Sequence, residues 1–449
     1  MVTFRIALNN LLASRRRTAL LAVALFGVTM LFTLLLALTE GVTDNLIRAG
    51  TNLASGHVNL GGFYKTSPTD SRAIVTNVST LKSEVKVALP EAVRVIDRMR
   101  GWGKVISDAG TVQAGISGVD VDDEGALFEI LSLAPASDYQ DAPKDPNLTK
   151  GSLSDLKKPG SILLFASQAK RLQIDVGDVV TIRTETLKGA TNTADATVVA
   201  IARDLGLLSS WSALVPKETV AKLYAFKPDV SGVVQIHLPN VDDSEEAMNR
   251  LRRHLDEKGY VQLEHEAQPF FIKLLQTVPA EDWTGAKLDV TTWEDENSFL
   301  VQIIVALRAI SFFLILLLAI VIVVGISNTM NIAVRERTRE IGTLRAVGLQ
   351  RTGVLSLFLI EALLLGGLAS GAGALTGALV SLVVDAQELS IGVEAVRVIL
   401  LSDTLHLVPR AIDVGLAALT LTLVTAFAGL WPSLRAARIT PVTAMQSAE

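Results

Sequence analysis

The densest cluster of residues able to do chemistry is Arg335-Glu336-Arg337-Thr338-Arg339-Glu340-Ile341-Gly342-Thr343-Leu344-Arg345-Ala346-Val347-Gly348. Read as a helix continuing from Met330, it places Ile341, Leu344, Val347 and Gly348 on one face. Glu336 with Arg339, and Arg337 with Glu340, can pair at i,i+3 on the others. The chemistry on offer is non-covalent binding. Its arginines, with Arg351 beyond it, suit an anionic lipid surface, whereas Glu336 and Glu340 suit a protein carrying charges of both signs. A second candidate is Glu361, at the cytoplasmic-side start of the third apolar run. It reads either as a helix-start group at the interface, or paired with an arginine such as Arg351, or as a polar contact that moves during transport.

Catalytic signals are absent. His57, His237, His254, His265 and His406 form neither H-E-x-x-H nor ligand-like pairs, and are expected as surface or strand residues. No G-x-S-x-G elbow occurs. Gly101-Trp102-Gly103-Lys104 approaches a phosphate-binding loop but lacks the leading glycine at the right spacing and the hydroxyl after lysine. ATP hydrolysis is therefore expected of a separate polypeptide, with no catalytic residue, metal or cofactor on this chain. With no cysteine, disulfides, zinc-thiolate sites and thiol nucleophiles are excluded. A net charge of -5 argues against nucleic acid.

The elements that must position the charged segment are membrane spans. The apolar residues lie in long blocks and mean hydropathy is +0.41. A bilayer core of about 30 Å needs about 20 apolar residues in a helix, and four runs qualify: 18–39, 309–334, 362–384 and 414–434. The first is too long for a signal-peptide core and reads as an uncleaved anchor. Arg5 and Arg15 to Arg17 precede it, Arg335 to Arg351 follow the second run, and Arg435 and Arg438 follow the fourth, so these segments are expected in the cytoplasm. Asp385, Glu388, Glu394, Asp403 and Asp413 outnumber Arg397 and Arg410 between the third and fourth runs, which suits the opposite side.

The expected fold is thus a membrane protein of four transmembrane α-helices, with a large α+β extracytoplasmic domain inserted between helices 1 and 2. Its segments are a cytoplasmic N-terminus at 1–17, spans at 18–39, 301–334, 352–384 and 414–434, the outer domain at 40–300, a cytoplasmic helix at 335–351, a short outer segment at 385–413 and a cytoplasmic tail at 435–449. Within the outer domain, Gly56 to Leu60 and Val233 to Leu238 alternate like half-buried strands, and Ser244 to Leu255 has helical spacing with Ser244 as cap. Asp141 to Gly160 reads as a surface connection. A β-rich subdomain at about 155–215 follows, with strands at Val179 to Thr184 and Ala196 to Ala202 flanking the loop 188–192. Gly366, Gly367, Gly371, Gly373 and Gly377 in the third span imply close helix packing, either within the chain or across a dimer, to which four spans point.

The sequence resembles the MacB/FtsX-like permeases of ABC transporters, and within them most closely the lipoprotein-releasing permeases. The segment Arg335 to Gly348 resembles the family signature after the second span, Glu361 with its glycine-rich span resembles the third, and Pro432 to Val442 resembles the C-terminal ending. Ile162 to Leu172 with Val176-Gly177-Asp178 resembles the small β-rich subdomain, and Ser55 to Leu60 the entry strand of lipoprotein-releasing members. The resemblance implies a bacterial inner-membrane permease working as a pair, with the same chain or a paralogue, on an ABC ATPase dimer that holds the ATP and Mg. Arg335, Glu336, Arg337, Arg339, Glu340, Ile341, Leu344 and Arg345 would couple to that ATPase. The motion would pass through the first two helices to a periplasmic domain that releases lipoproteins to a carrier. The alternatives are MacB-like efflux of a drug or peptide, and FtsX-like activation of a cell-wall hydrolase.

Overall fold

The computed structural model describes residues 6–7, 15–67, 70–186, 189–389, 391, 394–402 and 404–440. Arg5, Lys188, Asp403, Pro441 and Val442 lie outside the described residues, as do the side chains of Arg15 to Arg17 and Glu394. Among the described residues four helices exceed the length a bilayer core requires: α1 (Arg15–Ala49), whose last turn continues as a π-helical turn over Gly50–Ala54, α6 (Ser298–Glu336), α8 (Arg351–Ala386) and α10 (Ala411–Arg438). The protein is a membrane protein with four such helices and an α+β unit.

Two of these helices overrun the apolar stretches that identify them. From Thr18 to Ala54 the first is 37 residues, and α6 is 39, which at 1.5 Å per residue makes each roughly 55–60 Å long. Beyond Thr39 the helix carries Glu40, Asp44 and Arg48, yet Val42, Leu46, Ala49 and Leu53 keep a buried stripe at 4,3,4 spacing. An amphipathic stripe suffices to continue a helix where a wholly apolar run has ended.

The chain divides into two units. The helical unit comprises residues up to Asp44, Ile304–Ser390 and those from Thr404 onward. Inside it α8 packs by its small residues. A Cβ on Gly373 would lie 2.4 Å from the carbonyl oxygen of Phe26, one on Gly377 2.9 Å from that of Met30, and one on Gly366 3.1 Å from Thr425 Cβ. Gly367 and Gly371 have nothing within 4 Å of such an atom. Three of the five glycines expected to pack helices therefore do so within the chain, against α1 and α10. Threonines on α1 satisfy themselves: Thr29, Thr33, Thr39 and Thr43 each donate to the carbonyl four residues earlier, at 2.7–3.0 Å. Among them Thr39 also meets Ser311 of α6 at 2.6 Å.

The α+β unit comprises Asn45–Ile303 and Ile391–Asp403. In chain order its strands are β1 (Val58–Ser67), β2 (Asp70–Arg72), β3 (Val75–Thr76), β4 (Arg94–Ile106), β5 (Thr111–Val119), β6 (Ser161–Phe165), β7 (Val179–Glu185), β8 (Thr191–Ala202), β9 (Ser212–Pro216), β10 (Val230–Ser231), β11 (Val233–His237) and β12 (Gly285–Thr292). Helices α2 (Val78–Ala88) and α5 (Ser244–Glu257) complete the pattern β1-α2-β4-β11-α5-β12. The antiparallel order β12-β1-β11-β4 makes this a split β-α-β of the ferredoxin-like kind. Apolar faces of both helices, through Leu81, Val85, Leu251 and Leu255, close its core with Val58, Leu60 and Ile236.

A closed barrel is inserted between β4 and β11. Strands β4-β5-β9-β6-β8-β7 pair in sequence and β7 returns to β4, so no edge is left to pair with another chain. Helices α3 (Ala166–Leu172) and α4 (Lys217–Tyr224) pack against it. The barrel reaches well beyond 155–215, because the distal half of β4 and β5, at 99–119, supply two of its staves. Thr191 and Asn192, expected in a loop, belong to β8, and the cap of α5 is Asp243 rather than Ser244, which is the first helical residue. Gly101 to Lys104 is extended strand inside β4, which excludes a phosphate-cradling loop there. The connection at 385–413 contains a short helix, α9 (Glu394–Leu400).

Candidate functional site

The charged segment is not one continuous helix. Helix α6 ends at Glu336, Arg337 leaves helical geometry at φ -103° and ψ 16°, and α7 (Thr338–Ala346) starts afresh. The break lets Arg337 turn into the helical unit. Its Nε donates to Glu340 at 3.0 Å, its Nη1 donates to both carboxylate oxygens of Glu361 at 3.1 and 3.3 Å, and its guanidinium lies 5.6 Å from the Phe358 ring centre. The partner of Glu361 is thus Arg337, not Arg351. Arg351 opens the same helix ten residues earlier, about 15 Å along the axis, beyond reach of a shared ion pair.

Helix α7 is held at both ends. Ile341 is buried with Val334, Val354 and Phe358, and Arg345 Nη1 donates to the carbonyls of Ala437 and Ile439 at the end of α10. Ile341 lies at the inward edge of the face it shares with Leu344 and Val347, the face that the periodicity defines. Ile341 is 3% exposed, while Leu344 and Val347 are 37% and 90% exposed. The helix stops in a Schellman motif: Leu349 N–H donates to Leu344 at 3.0 Å, Gly348 N–H to Arg345 at 3.2 Å, and Gly348 takes φ +109°, which favours glycine. The result is a short, braced knob. Its exposed surface combines Leu344 and Val347 with Arg335, Glu336, Arg339 and Glu340.

Among the described residues no cluster of three or more His, Asp or Glu could hold a metal ion. The histidines do not all lie on the surface. His57 and His237 meet edge to face, 5.3 Å between ring centres, in the α+β unit. Burial, with Arg94 nearby, lowers His57 to about 4. Burial, His57 and the arginines Arg94 and Arg98 lower His237 to about 3. Both rings stay neutral in the fold while an unfolded chain takes up protons near pH 6.5. Stability is therefore full above about pH 6.5 and declines as pH falls toward about 4, by a few kcal/mol in order of magnitude. Melting the protein from pH 7.5 to 4.5 is expected to show this loss, reduced in His237→Phe; an unchanged slope in that variant counts against the pair as its source.

Residues 312–441 match the family model described as FtsX-like permease C-terminal. The chain carries an FtsX-like permease domain. This domain takes in most of α6 and all of α7, α8 and α10, hence the whole braced knob. Over 124 residues, or 28% of its length, the chain is 31% identical to a macrolide export ATP-binding/permease protein MacB from Hyphomonas neptunium, covering 17% of that protein. It is 35% identical over 124 residues, again 28% of the chain, to a pyoverdine export ATP-binding/permease protein PvdT from Pseudomonas fluorescens, covering 16% of it. The matched segment thus spans under a fifth of each relative. Among solved structures, the periplasmic region of MacB from Actinobacillus actinomycetemcomitans aligns with 58% of this chain and 97% of that one, at 13% identity and a TM-score of 0.29.

The FtsX-like domain brings together Arg337, Glu340, Ile341, Arg345 and Glu361 in one braced assembly and leaves Arg335, Glu336, Arg339 and Leu344 outward. Phe358, on which the Arg337 guanidinium lies, escaped the sequence reading. Its signal was an aromatic three residues before the lone carboxylate of the span.

Proposed function

We propose that the chain is the permease subunit of an ABC transporter that receives force from a separate cytoplasmic ATPase at the α7 knob. The observation carrying this reading is the knob itself: an exposed Leu344 and Val347 ringed by charges of both signs, on a helix that Arg337 and Arg345 tie to α8 and α10. A surface of that chemistry suits a protein more than lipid headgroups, since carboxylates repel an anionic membrane. Because the helix is braced, a push on it is delivered to the span helices rather than absorbed locally. ATP and Mg belong to the partner, as this sequence has no phosphate-binding loop. The permease works in pairs, with itself or a paralogue, in a bacterial inner membrane. Both its termini are cytoplasmic and the α+β unit is periplasmic.

The cargo has two readings. Lipoprotein release rests on the family resemblance, most narrowly on Ser55 to Leu60. Efflux is favoured by the names of the relatives, which are exporters of a macrolide and of pyoverdine.

Leu344→Asp with Val347→Asp tests the docking surface. Both side chains are exposed, so folding is expected to be unchanged while ATPase recovered with the tagged permease falls about tenfold, or roughly 1.4 kcal/mol. Full recovery of ATPase with the double variant sinks the assignment. Mass spectrometry of the wild-type complex separates the cargo readings: a lipoprotein carrier points one way, an outer-membrane channel adaptor the other.

A further inference from the structure

Strand β4 belongs to both halves of the α+β unit. Residues Arg94 to Arg98 pair with β11 of the split β-α-β, and Met99 to Ile106 pair with β5 of the barrel. At the changeover the carbonyl of Arg98 accepts from Gly232 N–H at 3.1 Å and from the Ser231 hydroxyl at 3.0 Å. Two arginines flank this point on β4, and each side chain runs to the root of a different long helix.

Arg98 meets the end of α1. Its Nη1 donates to the carbonyl of Leu53 at 2.9 Å and its Nη2 to that of Asn52 at 2.7 Å, both in the π-helical last turn. These carbonyls have no partner within the helix and carry the negative end of its dipole. Glu124 grips the same guanidinium through two bonds of 2.5 Å, and both side chains are almost wholly buried. Arg100 reaches the short helix Trp293–Glu296 that leads into α6. It lies 3.9 Å from Glu296 and stacks at 4.0 Å on Phe270, while Glu296 accepts from the Thr291 hydroxyl at 2.9 Å. The two roots are tied to each other as well: Asn297 Nδ2 donates to the Ser55 hydroxyl at 2.8 Å, and a Cβ on Gly50 would lie 2.8 Å from Leu300.

We infer that Arg98 and Arg100 latch the roots of α1 and α6 onto the single strand shared by both halves of the α+β unit, so that a displacement of either root moves the barrel and the split β-α-β as one body. Strand β4 is the common beam, and both arginines are positioning residues. The inference rests on the transporter reading only for its ATP-driven arm.

The chain has no cysteine, so Ala54→Cys and Thr111→Cys, both exposed, introduce a clean spin-label pair at the α1 root and the distal end of β5. In the full chain in lipid nanodiscs the wild-type distance distribution is expected to be narrow. Arg98→Met with Glu124→Met removes both members of the buried pair, leaving no orphan charge, and is expected to broaden the distribution at least twofold. Arg98→Lys keeps a charge for Glu124 but loses the fork that spans two carbonyls, and is expected to broaden it less. It decides the matter if the double variant does not fold. With the ATPase bound, hydrolysis is expected to stay within twofold of wild type while cargo release falls about tenfold, a split that general unfolding does not produce. Distributions as narrow as wild type in the variants that fold, or release undiminished, overturn the latch. If the wild-type chain binds no ATPase, the transporter reading falls, and the distance measurement still decides the latch.

Discussion

Gly373→Leu is expected to dissolve the packing of α8 on α1. A Cβ at this position already falls 2.4 Å from a main-chain carbonyl and 3.0 Å from Thr29 Cβ, so neither side can yield by rotating a side chain. The helices must separate, at a cost of about 3 kcal/mol or more. In gentle detergent this is read as an early loss of the monodisperse peak on heating. Gly371→Ala and Gly367→Ala are the controls, since both positions open onto free space, and each is expected to stay within about 0.5 kcal/mol of wild type. Equal damage from Gly371→Ala and Gly373→Leu, or none from Gly373→Leu, contradicts the packing described.

Glu361→Leu is the second large effect. It strands the Arg337 guanidinium, whose side chain is 18% exposed, beside an apolar helix. Breaking one partner of a buried pair costs about 3–5 kcal/mol. The lower end is expected here, because Arg337 keeps Glu340 and can turn partly toward water. Arg337→Leu combined with Glu361→Leu leaves no orphan charge and is expected to regain most of the lost stability. Its ATPase stimulation, however, is expected to remain about tenfold down, because α7 has lost the arginine that fixes it to α8. Recovery of both quantities together would falsify the bracing role of this pair and leave it a purely structural contact.

The spans were legible because an uncharged run of about 20 residues has few other uses in a chain of this composition. Their full extent was not, since Val42, Leu46, Ala49 and Leu53 are ordinary amphipathic spacing whose burial depends on the unit they pack against. Strands β7 and β8 stood out through local pattern. Barrel closure did not, because β7 pairs with β4 across nearly eighty residues and no local pattern encodes that return. In the candidate site the i,i+3 pairing of Arg337 with Glu340 was readable from spacing. The choice of Arg337 over Arg351 was not, because it follows from one non-helical residue, and the burial of Ile341 was not, because it depends on Val354 and Phe358 of another helix. Arg98 and Arg100 lay in plain view in Arg94-Val95-Ile96-Asp97-Arg98-Met99-Arg100, where charges at alternate positions of a strand destined for burial are the signal to heed.

The threonines of α1 bear on how α1 and α8 hold together. Thr29 and Thr33 sit opposite Gly373 and Gly377, yet each spends its hydroxyl on its own helix, so the face α1 offers to α8 at these points is methyl and backbone against glycine. Two such surfaces have no hydrogen bond between them to rupture when one slides over the other. What holds them together here is the close fit, not a polar bond. This stretch of the interface is therefore keyed by shape alone, the turns of α1 at Phe26 and Met30 seated in the notches at Gly373 and Gly377.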